Sequence, residues 1–423
     1  ASADVERDSL SRFLFAPETF NLGETSRGVE VARALTGAGH DVRFMGYSRT
    51  YAPYIREAGF ELDLLTPEVD DALAARFFAF EQGRSPHFPF TTHMVRTRVR
   101  NELDLIARWQ PDAVIIGTTL TLLLSARIAG VPLIYLRPYP LSASHLASVS
   151  SLPLRVHTGL TSRCINHLAG FLAGKLARHL RWKPVAFRRV AREHGLRLPR
   201  RTAAMLDADL APIASLFPLL DGRPLVSGEV AVGPIYAHAA GALPPEVEEL
   251  TREHSRPLIH VGLGSSARRE VALPLLTALG DHNVDVISTA GRYLTPQDRS
   301  GLPASVLVFD FLPTHKLSGL IDASLIHGGE GTVQTACTSG IPFAGIGMQM
   351  EQKLNIEECV NFGNALAFTM RDIHRNKIPS LVEQLLTDPT LRRRARELAT
   401  LTQDIDGAGR CAEVILRFLD DRR

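Results

Sequence analysis

The stretch His327-Gly328-Gly329-Glu330-Gly331-Thr332 follows a short apolar run, Ala323-Ser324-Leu325-Ile326, and precedes Val333 and Ala336 at helical spacing. A strand that ends in a glycine-rich turn and runs into a helix is the repeating unit of parallel sheets. The unit recurs upstream. Pro257-Leu258-Ile259-His260-Val261-Gly262 reads as a strand and Gly264-Ser265-Ser266 as its turn. Leu273, Leu276 and Leu279 then mark one helical face, and 284–289 the next strand. It recurs again near the start, where Arg12-Phe13-Leu14-Phe15-Ala16 leads through a loop, 17–23, into a helix carrying Val29, Ala32 and Leu35. Gly37 and Gly39 stop that helix and Asp41 to Met45 form the following strand. Asp112 to Ile116, a helix near Leu122 to Ala129, and Val131 to Leu136 extend the first half. Val306 to Phe309 extends the second. This alternation predicts an α/β protein with two Rossmann-like parallel-sheet domains.

The chain's 423 residues suit two large domains. The Pro/Gly-rich segment 232–245 is the natural linker. It divides the chain into domains at 1–235 and 236–406, with a final helix within 407–423 able to pack back on the first. A composition 45% hydrophobic and 22% charged excludes a disordered chain. No apolar run is long enough for a transmembrane helix, and Ala1 to Leu10 is polar without a signal-peptide core. Cys164, Cys337, Cys359 and Cys411 show no CxxC spacing, so reduced thiols and a cytoplasmic location are expected. The net charge of +2 conceals an uneven distribution. Residues 141–206 carry twelve basic residues against one acid, Glu193, a local balance of +11. Within them, Ile165, Leu168, Phe171, Leu172, Leu176 and Leu180 fall at helical spacing.

The 327–332 turn has the chemistry of a phosphate site. Its glycines permit close backbone approach, and the helix that follows offers free N–H groups and the positive end of its dipole. Thr332 adds a hydroxyl, and the His327 ring can donate an N–H.

In order, Phe311-Leu312-Pro313, Asp322, the 327–332 turn, Gly340-Ile341-Pro342, Glu351-Gln352, Asn355 and Gly363 make up a block that resembles the family-1 glycosyltransferases of GT-B fold, including bacterial natural-product enzymes. Gly262 to Ser266 and Val232-Gly233-Pro234 extend the likeness, which covers about 230–370; the first half is similar mainly in architecture. The resemblance implies two domains facing across a cleft, the second holding a nucleotide sugar. It implies that Phe311 and Leu312 meet the nucleobase. Gly264, Ser265 and Ser266 would lie near the diphosphate, which His327, Gly328, Gly329, Gly331 and Thr332 would hold. Glu351 and Gln352 would meet donor-sugar hydroxyls; on their own they also read as a polar helix start. One departure is Gly347, where the family usually has proline.

The family's acceptor half usually carries a Gly-His pair whose histidine deprotonates the acceptor, with an aspartate to orient it. By spacing from Gly39-His40, the pair falls on Gly23-Glu24 and the aspartate on or near Gly117. Both dyad members are therefore replaced. Glu24 has three readings: a carboxylate base, a contact for a cationic acceptor, or a first-turn acid stabilising its own helix. His93 and His145, with His87, lie in regions able to reach the same cleft.

No cofactor beyond the UDP- or dTDP-sugar donor is expected, and no metal. Asp207-Ala208-Asp209 has DxD spacing but lies outside the donor block. A nucleotide sugar and a small-molecule acceptor are the expected partners, and a homodimer is compatible with the sequence. Too few aromatics interleave the arginines of 141–206 for nucleic acid. That segment reads as a solvated face, a grip for an anionic acceptor, or a peripheral contact with an anionic membrane. The resemblance thus implies an inverting transferase acting on a small natural product. The alternatives are a transferase working at a membrane surface and a non-catalytic nucleotide-sugar-binding protein.

Overall fold

The computed structural model describes residues 10–155, 160–253 and 255–423; nearly all of the polar start, residues 1–9, lies outside them. Among the described residues, eleven short strands form two main sheets and two more form a separate pair, all paired in parallel. The first has the order β3-β2-β1-β4-β5, from β1 (Arg12–Ala16), β2 (Asp41–Gly46), β3 (Leu62–Leu64), β4 (Ala113–Ile116) and β5 (Leu133–Tyr135). A short pair, β6 (Ala211–Ile213) with β7 (Glu229–Ala231), adjoins β5 through the bridge Ile134 to Leu210. The second sheet has the order β10-β9-β8-β11-β12-β13. Its strands are β8 (Leu258–Gly262), β9 (Asp285–Ser288), β10 (Val306–Val308), β11 (Ala323–Ile326), β12 (Phe343–Gly345) and β13 (Ala365–Ala367).

The central strands are buried along nearly their whole length, which is why they read as continuous apolar runs. Strand order reverses between β1 and β4 in one sheet and between β8 and β11 in the other. In open parallel sheets such reversals leave a crevice at the strand C-termini, where ligands bind. The two crevices here meet across the interdomain cleft.

The final helix, Gly407–Asp420, crosses back. Cys411, Ala412, Ile415 and Leu419 are buried with Phe13, Val29 and Leu35 of the first domain. Polar ties also span the cleft. Gln334 accepts from the Ile235 N–H (3.2 Å) and donates to the Ala214 carbonyl (2.6 Å). Gln82 donates to the Ser266 carbonyl (3.1 Å) and Gln349 to Glu81 (2.6 Å). No helix of the described residues is long and apolar enough to cross a membrane.

Candidate active site

The cleft is built by four loops, one after each strand that flanks a reversal. From the second domain come Gly264, Ser265 and Ser266 after β8, and His327, Gly329, Gly331 and Thr332 after β11. Phe311, Leu312, Glu351 and Gln352 join them. From the first domain come Gly23, Glu24 and Arg27 after β1, and Gly117 and Thr118 after β4.

The helix Glu330–Thr338 begins at Gly329 without any side-chain cap, so its first N–H groups stay open to the cleft. His327 lies beside it, 7% exposed. Its Nδ1 is 3.2 Å from the Gly262 carbonyl oxygen, which can only accept, so Nδ1 carries the proton. Burial pushes the ring's pKa down to about 4. The neutral ring therefore turns a lone pair, not an N–H, from Nε2. A Cβ at Gly264 or at Gly329 would come within 2.3 Å of that nitrogen, so both glycines are needed to seat the ring. Gly264 also has φ +63°, in the left-handed region.

Gly328 does not line the cleft. With φ +86° it makes the turn, and its α-carbon faces the Gln352 carbonyl and Ile356. The Asn355 amide fixes its carbonyl at 3.1 Å. Gln352 reaches the cleft, but the protein already engages its amide. Its Oε1 accepts from Met348 and Gln349 N–H, and its Nε2 donates to Ser266 and Gln349, closing a capping box on the helix Met350–Phe362. The polar helix start thus accounts for Gln352, leaving Glu351 as the freer of the pair. Phe311 stays 46% exposed at the mouth, a ring face free for stacking, over a buried Leu312.

Across the cleft, the helix Leu22–Gly37 is closed at its N-terminus. Asn21 Oδ1 accepts from Gly23 N (3.0 Å) and Glu24 N (3.4 Å). Glu24, 8% exposed, accepts from Glu18 N (3.1 Å), Thr118 N (2.9 Å) and the Thr118 hydroxyl. A Cβ at Gly117 would lie 2.1 Å from Glu24 Oε2. The carboxylate therefore fills the space a side chain at 117 would need.

Below this floor lies a buried polar group. Arg98, fully buried, stacks on the Tyr47 ring at 3.7 Å and faces Glu18 at 3.6 Å. Glu102 accepts from Tyr47, Thr121 and Ser125 hydroxyls. Burial raises Glu18 to about 7 against the pull of Arg98.

Sequence reasoning passed over Arg27, one turn beyond Glu24 and on the same helical face. Its positive charge acts on two cleft carboxylates. Burial raises Glu330 to about 7, the Glu351 charge adds to this, and Arg27 opposes it. Glu351 is raised by burial and by Glu24, again against Arg27. The i, i+3 spacing was the available signal.

Three expected residues lie elsewhere. His93 is exposed on the helix Thr92–Trp109, whose Met94 and Val95 face the core and so turn His93 outward. His145 sits in a separate hollow with Ser215 and Glu358, its ring edge-on to Tyr139 at 5.2 Å. His87 is exposed outside the cleft. Asp209 of the DxD pair is spent on the Leu133 N–H and Arg422.

Residues 274–416 match the model of the erythromycin biosynthesis protein CIII-like C-terminal domain. A PGL/p-HBAD biosynthesis rhamnosyltransferase of Mycobacterium bovis is 26% identical over 97% of this chain and 89% of its own. The glycosyltransferase SnogD of Streptomyces nogalater superposes with TM-score 0.66 at 19% identity, covering 97% of this chain and 99% of its own. The glycosyltransferase VinC, solved with dTDP, gives 0.68 at 19% identity over 97% and 100%. The two sheets and their facing crevices are the GT-B fold of these enzymes.

Proposed function

We propose that this chain, a glycosyltransferase of GT-B fold, moves a sugar from a dTDP- or UDP-sugar to a hydroxyl of a small natural-product acceptor, by direct displacement with inversion. One observation carries the reading: an uncapped helix N-terminus and a held carboxylate, Glu24, face each other across a single cleft.

In this mechanism the acceptor lies on the first domain's side, against Leu22, Phe78, Leu136, Pro138 and Leu141. Glu24 Oε1 takes the hydroxyl proton, while Thr118 and the Glu18 N–H keep the carboxylate aimed. The hydroxyl oxygen attacks the anomeric carbon. The bond from that carbon to the diphosphate breaks, and its electron pair leaves with the diphosphate. The open N–H groups of the 330–338 helix and the Thr332 hydroxyl stabilise the leaving charge. His327 joins by taking a proton at Nε2 when the diphosphate arrives, since the anion favours the charged ring that burial disfavours. Arg27 offsets Glu330 and Glu351, which would otherwise repel the donor. Glu351 receives the sugar hydroxyls. The mycobacterial relative's name and the dTDP in the VinC structure favour a dTDP-linked deoxyhexose.

A thermal-shift panel of UDP, dTDP and their hexose and 6-deoxyhexose conjugates tests this. Stabilisation of about 2.7 kcal/mol is expected at a hundredfold excess over Kd. No shift with any of them would overturn the donor assignment.

A further inference from the structure

The helix Leu160–His179 is amphipathic in reverse. Its buried positions are Ser162, Asn166, Gly170 and Gly174, small or polar residues spaced by four. They let the helix lie close to the chain before it: a Cβ at Gly170 would fall 2.3 Å from Ser151 N, and one at Gly174 3.1 Å from Val149. The opposite face carries Leu168, Phe171, Leu172 and Leu176, each between 55% and 61% exposed. A helix normally turns such residues to the core. Here they form one outward stripe, of the kind that marks an interaction surface.

The chain continues from this stripe through Trp182 and Val185, each 55% exposed. It then enters the helix Val185–Glu193 and a shallow hollow lined by Lys183, Arg188, Arg192 and Arg197, with no carboxylate. The side chains of the three arginines make no ion pair or hydrogen bond among the described residues. Glu193, the segment's sole acid, is held two-pronged by Arg96 at 2.6 and 2.8 Å and does not neutralise the hollow.

We infer that this face docks on a lipid bilayer carrying anionic headgroups. Leucines, a phenylalanine and a tryptophan meet the acyl boundary, and the cationic hollow meets the headgroups. The charge pattern selects this occupant. A second copy seated on the same face would set a +11 segment against its like. Nucleic acid would leave the leucine stripe without an apolar partner.

The docked face adjoins the acceptor side of the cleft. The short helix Ala143–Ser148 packs on the 160–179 helix, and Leu141 lines both the cleft and a hollow that Ala177 and Arg178 of that helix also line. Docking therefore places the acceptor side beside the bilayer, and the acceptor is a hydroxyl compound that partitions into lipid. This last step rests on the transferase reading; the docking does not.

The test is co-sedimentation of the whole chain with vesicles of phosphatidylcholine, with and without phosphatidylglycerol. Wild type should pellet only with the anionic vesicles. Phe171→Glu with Leu172→Glu should weaken that by about tenfold or more. Arg188→Ser with Arg192→Ser should weaken it by roughly fivefold per charge removed. Both variants should keep the wild-type thermal shift with dTDP, which shows that they fold and isolates the docking face from the donor site. If wild type stays in the supernatant, or the variants pellet as wild type does, the inference is overturned. It is equally overturned if sedimentation velocity without vesicles shows a dimer that Phe171→Glu dissolves. A missing dTDP shift alongside intact vesicle binding would instead sink the donor assignment.

Discussion

The helices Leu22–Gly37 and Glu330–Thr338 each follow a central strand that flanks a reversal of strand order, on opposite sides of it in the two sheets. They treat their N-termini in opposite ways. The first is capped by Asn21, and its Glu24 gathers further donors from Glu18 and Thr118. The second has glycine at its cap position and leaves its N–H groups open. The same supersecondary unit thus yields two chemistries. A closed N-terminus presents a negative group, suited to accepting a proton. An open one presents positive dipole, suited to an anion. In the mechanism proposed above, this difference sets the direction of the reaction across the cleft, from base to leaving group.

The comparison breaks most sharply at Glu24. Glu24→Gln should cut turnover about a hundredfold or more while leaving the dTDP thermal shift unchanged. Its amide oxygen can still accept the two backbone N–H groups and its NH2 can donate to the Thr118 hydroxyl, so the fold should hold. Equal turnover would reduce Glu24 to a structural acid. On the opposite helix, His327→Ala should weaken donor binding about thirtyfold, the scale of one charge-assisted contact of about 2 kcal/mol. An unchanged donor titration would remove His327 from the site.

The pH dependence sharpens the same contrast. His327 starts near 4 and Glu330 near 7 in the free protein, and a bound diphosphate raises both. The complex should then hold more protons than the free protein, so donor affinity should rise as pH falls toward about 7 through Glu330 and toward about 4 through His327. Calorimetry in buffers of different ionisation enthalpy would read this as proton uptake; release would contradict it. The smallest effect belongs to the closed helix. Asn21→Ala should cost about 1 kcal/mol of stability, seen as a lower Tm, with donor affinity intact.

Much of this arrangement is legible in the sequence because its central strands are buried on both faces. β1, β8 and β11 read as apolar runs ending in glycine turns, and those turns are the cleft. β3, β12 and β13 have three residues each, too few for any periodicity to show. The 160–179 helix shows why a period alone misleads. Its spacing is visible, but which face turns inward is decided by Gly170 and Gly174, whose missing side chains allow close packing. His93 and His145 fail for a related reason: a single histidine carries no information about the face it occupies. Arg27 needed only the step of one helical turn from Glu24. Gln352 carried two meanings, and the capping box accounts for its polar atoms.

The contact between positions 24 and 117 also constrains how this catalyst can change. A Cβ at 117 would stand 2.1 Å from Glu24 Oε2, so a side chain there requires the carboxylate to move. An aspartate there would require Glu24 to give up its hydrogen bonds to the Glu18 N–H and to Thr118. Room at 117 therefore depends on what stands at 24, and the two positions are coupled. Under the proposed mechanism, the reactive position is set as much by the side chain Gly117 lacks as by the carboxylate it admits.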